Sequence, residues 1–301
     1  MSKSAFYNDQ QLAELLWQGR RKLSAMNPAG VFRMNGPGGC QGEAVCHVSK
    51  DQISRAGNSK ERFTLMSAVK PFLLLRVLDF HGAGEVARWV DEVPSGMPYY
   101  SLEQLREDGG KPRNAMINSG AMLLASKLPG NGPVEQQKLF LDWLRDFCPI
   151  SNLSVDADCL ADLLEQDKDA TNMALAEELE RGGWIGSAAA AYEVYFRLCC
   201  LAGSIPDVAW LGYGLATAAS SHRDQVLRTM AHCGLYEASS DWYATTALPA
   251  KSGVSGVVFG IWPGNACMAA SSPWLDHGGN PILPQWILAQ AAAQDPPGKG
   301  M

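Results

Sequence analysis

"RFTLMSAVKPFLLLRVLDF", residues 62–80, sets Ser67 three residues ahead of Lys70 and then runs into Phe72, Leu73, Leu74, Leu75, Val77 and Leu78. Residues at i and i+3 share one face of a helix, so this spacing is expected to bring Oγ and Nζ within hydrogen-bond reach. A serine hydroxyl is a weak nucleophile at neutral pH and needs a base. Lysine serves when desolvation draws its pKa toward neutrality, and the apolar run supplies that setting. The unpaired N–H groups at the amino end of such a helix favour developing negative charge. Pro71 disfavours helical geometry at Lys70 and removes a donor, so the helix must begin near Ser67. S-x-x-K alone fits a solvated helix start as well, and the rest of the chain has to decide.

A second stretch, "LPAKSGVSGVVFGIWPG" at 248–264, bears on that decision. A lysine, a hydroxyl and a glycine at the start of a strand make an edge along which a substrate can lie. Gly253 allows another backbone to approach closely. The N–H groups of Val254 and Ser67 would then form a two-donor oxyanion hole. The plainer reading is a glycine-rich edge strand after a turn.

Around these two stretches, residues 9–24 read as an amphipathic helix through Leu12, Leu15, Leu16 and Leu23. "GVFRM" and "EAVCHV" read as a β-hairpin, with "NGPGGCQG" as its turn. From 63 to about 235 helices are expected at 67–83, 84–92, 101–107, 117–127, 134–147, 157–165, 168–181, 185–202, 213–219 and 222–233. Strands return in "WYATTALPAKSG", "VSGVVFGIWPG" and "MAASSPW", before a last helix, "PILPQWILAQAAAQ", and a disordered tail, "DPPGKGM". Strands at both ends of the chain must pair into one sheet. The expected class is α+β: residues 1–66 and 236–301 forming a sheet-containing lobe, 67–235 a mostly helical lobe, with a cleft between them.

Composition narrows the function classes. The net charge of −6 and the scattered lysines and arginines argue against nucleic acid or an anionic membrane as the main partner. No stretch has the length of a signal peptide or a membrane span, so a cytoplasmic location is expected. Eight cysteines lack any C-x-x-C pair, and the five histidines are dispersed, which argues against a metal site.

With S-x-x-K and K-S-G both in view, the chain resembles the serine-dependent glutaminase family of the β-lactamase and penicillin-binding-protein superfamily. "VPSGMPYYS" (93–101) resembles E-P-S-G-x-x-F-N-S, and "KPRNAMINSGAM" (111–122) resembles K-P-x-N-P-M-I-N-A-G-A-I. "YEVYFRLCC" (192–200) is similar to L-D-x-Y-F-x-x-C-S, and "HCGLYEASSDW" (232–242) to x-C-G-M-Y-D-x-S-G-x-F. The resemblance implies a β-lactamase-like fold, an antiparallel sheet flanked by helices plus a helical lobe. It implies hydrolysis of L-glutamine to glutamate and ammonia without a cofactor, in a homodimer or homotetramer. It makes Ser67 the nucleophile, Lys70 its base and Tyr195 a second proton-handling group. Asn118, Glu165 and Asn172 would bind the α-amino and α-carboxylate ends, Tyr236 would line the pocket, and Val254 would donate to the oxyanion with Ser252 nearby.

Three departures stand out. Met66 occupies the position where the family usually has Gln, "RRKLSAMNPAG" stands where an A-D-Y-I-P-x-L-A motif is expected, and Tyr100 replaces an asparagine. A hydrogen bond to substrate that these changes remove is worth about 0.5–1.5 kcal/mol. The departures motivate two alternatives: a catalytically silent, ligand-binding relative, or an amidohydrolase acting on another amide.

Overall fold

Helix α1 (Asp9–Ser24) opens with a capping box. Asn8 Oδ1 accepts from the Gln11 N–H, and Gln11 Oε1 accepts from the Asn8 N–H. Its stripe of Leu12, Leu15 and Leu16 is buried, as the periodicity requires. This computed structural model describes residues 7–25, 32–33, 38–50, 52–166 and 171–297. Residues 298–301 of the tail, 168–170 of the expected 168–181 helix, 30–31 and 34 of "GVFRM" and 35–37 of "NGPGGCQG" lie outside them.

After α1 come strands β1 (Phe32–Arg33), β2 (Ala44–Ser49), β3 (Gln52–Gly57) and β4 (Phe63–Thr64), then a 3-10 turn, Met66–Val69. The helical stretch follows with α2 (Lys70–His81), α3 (Ala83–Trp89), α4 (Leu102–Glu107), α5 (Asn118–Ser126) and α6 (Pro133–Phe147). Strand β5 (Ser154–Val155) leads to α7 (Ala157–Gln166), α8 (Thr171–Arg181) and α9 (Ala188–Cys199). Then come β6 (Leu201–Gly203), α10 (Ile205–Thr217), α11 (Arg223–Cys233) and α12 (Ser239–Thr246). The chain closes with β7 (Ala250–Gly253), β8 (Val257–Trp262), β9 (Ala266–Ser271), β10 (Trp274–Leu275) and α13 (Ile282–Gln294).

The main sheet is antiparallel, in the order β3-β2-β9-β8-β7. Its central strand, β9, pairs with β2, so distant parts of the chain meet as expected. Strands β2, β8 and β9 are buried on both faces because helices cover both. Val45, Val258, Met268 and Ala270 pack with Leu12, Leu16, Leu283 and Ile287 of α1 and α13. Their alternate neighbours Cys46, Phe259, Cys267 and Ala269 join the larger core with Val208, Leu211 and Leu215 of α10. The approach of α10 depends on Gly212, where an added Cβ would lie 2.3 Å from Cys267 Sγ.

The structure differs from the sequence expectations at several places. The hairpin joins β2 to β3, whereas Phe32 and Arg33 pair with Leu275 and Trp274 at the other end of the chain. The helix expected over 185–202 stops at Cys199, and 201–203 become a strand between β4 and β5. Helix α10 starts at Ile205, earlier than 213, because Ser204 and Asp207 form a capping box there. In "WYATTALPAKSG" only the last part is a strand. Residues 239–246 are helical, closed by Ala247 at φ 52°, and β-propensity in Trp, Tyr and Thr yields to this local packing.

Candidate active site

Ser67 sits where β4 gives way to α2. The Leu65 N–H donates to the Leu201 carbonyl over 2.7 Å, tying the chain to β6 just before the turn. Met66 then adopts φ 46°, a left-handed conformation that costs a non-glycine residue roughly 1–2 kcal/mol. The Ala68 N–H returns to the Leu65 carbonyl at 2.9 Å and closes the 3-10 turn. Strain of this kind persists where surrounding contacts over-determine it. Pro71 falls in the first turn of α2, where it loses no helical bond, and Lys70 keeps helical angles of φ −60° and ψ −38°.

The edge strand β7 leans against this turn. At Gly253 an added Cβ would lie 2.7 Å from the Leu65 carbonyl oxygen and 3.4 Å from the Ala68 nitrogen. The glycine therefore places the 252–254 backbone against the Ser67 turn, the approach the sequence suggested.

Lys70 is fully buried. Its Nζ donates to the Met116 carbonyl at 3.0 Å and to Asn118 Oδ1 at 2.8 Å. Burial draws its pKa down to about 7, opposed in part by Cys199. Among the described residues no direct hydrogen bond joins Ser67 Oγ to Lys70 Nζ, in contrast to the i, i+3 expectation. The two residues straddle the change from 3-10 to α geometry, and the amine is held by acceptors from the start of α5.

Asn118 is the hub of the cluster. Besides Lys70, its Oδ1 accepts from the Tyr195 hydroxyl at 3.0 Å, and its Nδ2 donates to Asn172 Oδ1 at 2.9 Å. Its N–H donates to the Tyr99 carbonyl at 2.9 Å. One hydrogen on Nδ2 remains after this count. Burial holds the Tyr195 phenol well above its ordinary pKa.

Tyr236 completes the wall. It too has a left-handed backbone, φ 55°, and its ring stacks on Tyr99 with centroids 4.3 Å apart. Its buried hydroxyl makes no well-formed hydrogen bond. Ser67 is near enough to lower its pKa, against a stronger upward push from burial and Tyr99. Lys251 Nζ lies 4.1 Å from the Tyr236 ring centroid and donates to the Gly234 and Ser252 carbonyls, each at 2.8 Å. Burial, then the nearby Lys70, hold the Lys251 pKa well below its usual value.

Packing thus joins Lys70, Asn118, Asn172 and Tyr195 in one hydrogen-bonded cluster, with the Tyr236 ring beside Lys70, Ser67 beside Tyr236, and Gly253, between Ser252 and Val254, against the 65–68 turn. Glu165 is exposed near the end of α7, beside the undescribed 167–170. Sequence reasoning missed Tyr99, Lys251 as a pocket residue, and Asn280. Asn280 Nδ2 donates to the Leu235 carbonyl at 3.3 Å, which turns its Oδ1 to accept from Ser252 Oγ at 2.6 Å. The lysine of K-S-G was a usable signal. Asn280 had none, since its partners are distant in sequence. A broad surface hollow of about 690 Å³ by Trp143, Phe147 and His222 shares no residue with the cluster. Among the described residues no group of His, Cys, Asp and Glu is placed to hold a metal ion.

Comparison with known proteins bears on this geometry. The family model for Glutaminase matches residues 40–294. The chain belongs to the glutaminase family. It is 37% identical over 242 residues to a glutaminase of Synechocystis, covering 78% of this chain and 73% of that protein. Glutaminase 2 of Escherichia coli is 30% identical over 265 residues, covering 84% and 85%. The solved structure of a probable glutaminase, YbaS, superposes with TM-score 0.85 at 27% identity, covering 96% of this chain and 97% of that one. The fold is also shared with Bacillus subtilis glutaminase YbgJ, solved as a covalent complex with 5-oxo-L-norleucine, at TM-score 0.80 and 22% identity over 95% and 97%. As a glutaminase-family member the chain is a hydrolase with the β-lactamase-like fold. No helix of the described residues is long and apolar enough to cross a membrane.

Proposed function

We propose that this protein hydrolyses L-glutamine to L-glutamate and ammonia through an acyl-enzyme on Ser67. The observation that carries this reading is the hydrogen count at Lys70. A neutral amine has two N–H bonds, and two acceptors, Met116 O and Asn118 Oδ1, take them. What remains is a lone pair, on a group whose pKa of about 7 leaves much of it neutral under ordinary conditions.

In the proposed reaction Lys70 takes the Ser67 proton and Oγ attacks the side-chain amide carbon. The N–H groups of Ser67 and Val254 hold the oxyanion, a role supported by the close packing of Gly253 on the 65–68 turn. Lys70 returns its proton to the departing ammonia, with Tyr195 linked to it through Asn118. Water then cleaves the glutamyl ester by the same relay in reverse. The spare Asn118 hydrogen, with Asn172 and Glu165, recognises the amino-acid end. The Tyr236 hydroxyl, close to Ser67, supplies a further polar contact. A cytoplasmic setting is supported by eight buried, unbridged cysteines.

The test is ammonia release from L-glutamine by the purified protein beside Ser67→Ala. Activity is expected in the former and absent in the latter. Equal activity in both overturns the serine mechanism, and glutamine binding without ammonia from the wild type marks a silent relative.

A further inference from the structure

Cys200 Sγ lies 3.8 Å from Cys159 Sγ, and neither side chain is exposed to solvent. The pair stands outside the cluster around Ser67, and no step of the proposed reaction uses it. Cys159 belongs to α7, which ends near Glu165, and Cys200 follows the last residue of α9, the helix that carries Tyr195. Helices α7 and α8 both pack on α9.

We propose that Cys159 and Cys200 are a disulfide-forming site for small hydroperoxides, and that closing the bond lowers turnover. Cys159 is the attacking sulfur. The Cys200 thiol donates to Cys159 Sγ, and a donor aimed at that sulfur favours its thiolate. The Cys159 thiolate attacks one peroxide oxygen and the O–O bond breaks. The sulfur is oxidised to a sulfenic acid, and the other oxygen leaves as water after taking a proton. The Cys200 thiol then attacks the sulfenic sulfur, the S–O bond breaks, and a second water departs. Two thiols and one hydrogen peroxide thus give one disulfide and two waters.

A disulfide needs a sulfur separation of about 2.05 Å, so the two helices must close the difference from 3.8 Å. The loop so closed contains Asn172 and Tyr195, both hydrogen-bonded to Asn118. The effect on turnover rests on the function proposed above, whereas formation of the bond does not.

The experiment treats the whole protein with hydrogen peroxide under native conditions, alkylates free thiols and digests. The expected product is a peptide pair linking 159 to 200, two hydrogens lighter than the reduced pair. Ammonia release should fall about tenfold or more, as displacements near 1 Å can cause, and dithiothreitol should restore it. Cys200→Ser should keep untreated activity and lose the response, with Cys159→Ala as the same arm should that variant fold poorly. Absence of the linked peptide overturns the proposal, as does a linked protein of unchanged activity or equal inactivation of Cys200→Ser. Should the untreated protein release no ammonia, the linked peptide still reads the bond, and slower hydrogen exchange across 157–181 reads its effect.

Discussion

Lys70 Nζ donates to Asn118 Oδ1 over 2.8 Å, and neither partner carries a carboxylate. The amine is therefore held by neutral acceptors in a buried site, which is why its pKa falls to about 7. A base must be unprotonated to act, so kcat/KM is expected to fall as pH drops below about 7 and to level off above it. An ammonia-release profile from pH 5 to 9 reads this directly. Lys70→Arg should be inactive, since a guanidinium stays charged throughout that range.

Asn118→Asp places a negative charge on Lys70. The opposite charge favours the ammonium, so the acid limb of the pH profile should move up by about one unit or more. Asn118→Ala should instead leave the Lys70 and Tyr195 donors without their acceptor, at about 1–3 kcal/mol for each buried group. An unmoved acid limb in Asn118→Asp would count against Lys70 as the titrating base.

The buried amine also sets a stability trend. The folded pKa of Lys70 lies below its unfolded value of 10.5, so between pH 7 and 10.5 the unfolded chain binds more protons. Native stability gains from Lys70 as pH rises through that window. The Tm difference between Lys70→Met and the wild type should be most favourable to the variant below pH 7 and should shift toward the wild type up to pH 10.5. Thermal melts at matched ionic strength check it, and a difference independent of pH would contradict it.

Gly253→Ala puts a methyl group 2.7 Å from the Leu65 carbonyl oxygen, a backbone atom that cannot swing aside as a side chain would. Strand and turn must separate, and with them the N–H groups of Val254 and Ser67. We expect kcat to fall about a hundredfold, as misplacement near 1 Å produces, with far-UV circular dichroism retained. Wild-type kcat in this variant would remove the oxyanion role from Val254.

Asn280 acts through Ser252. Because Asn280 Nδ2 is turned to Leu235, the Ser252 proton goes to Asn280 Oδ1, and the serine oxygen can only accept toward the pocket. In a double-mutant cycle on kcat/KM, Ser252→Ala with Asn280→Ala should be no worse than Ser252→Ala alone. Strict additivity would show that Asn280 serves the fold without positioning the serine.

Much of this was legible in the sequence, for identifiable reasons. Helix α1 declared itself through Leu12, Leu15 and Leu16, and the start of α2 through Ser67, Lys70 and the position of Pro71. The strand at 201–203 did not, because Leu201 and Ala202 continue an apolar run and become a strand only by pairing with Thr64 and Val155. Helix α12 was hidden by Trp242, Tyr243 and Thr245, residues at home in strands. Asn118, Asn172 and Tyr195 were named from family resemblance, but their convergence on one side chain depends on three helices meeting. Lys70 was expected to touch Ser67 directly, and only the fold shows that Met116 and Asn118 take its hydrogens.

Strand β7 is the last strand of its sheet, with a partner on one side only. Such a margin invites another chain to add itself. Here the 65–68 turn lies against it, and the Ser252 N–H reaches the Gly234 carbonyl at 3.4 Å. The turn that carries Ser67 thus doubles as a guard rail against intermolecular strand addition, and variants that loosen it should clump before they unfold.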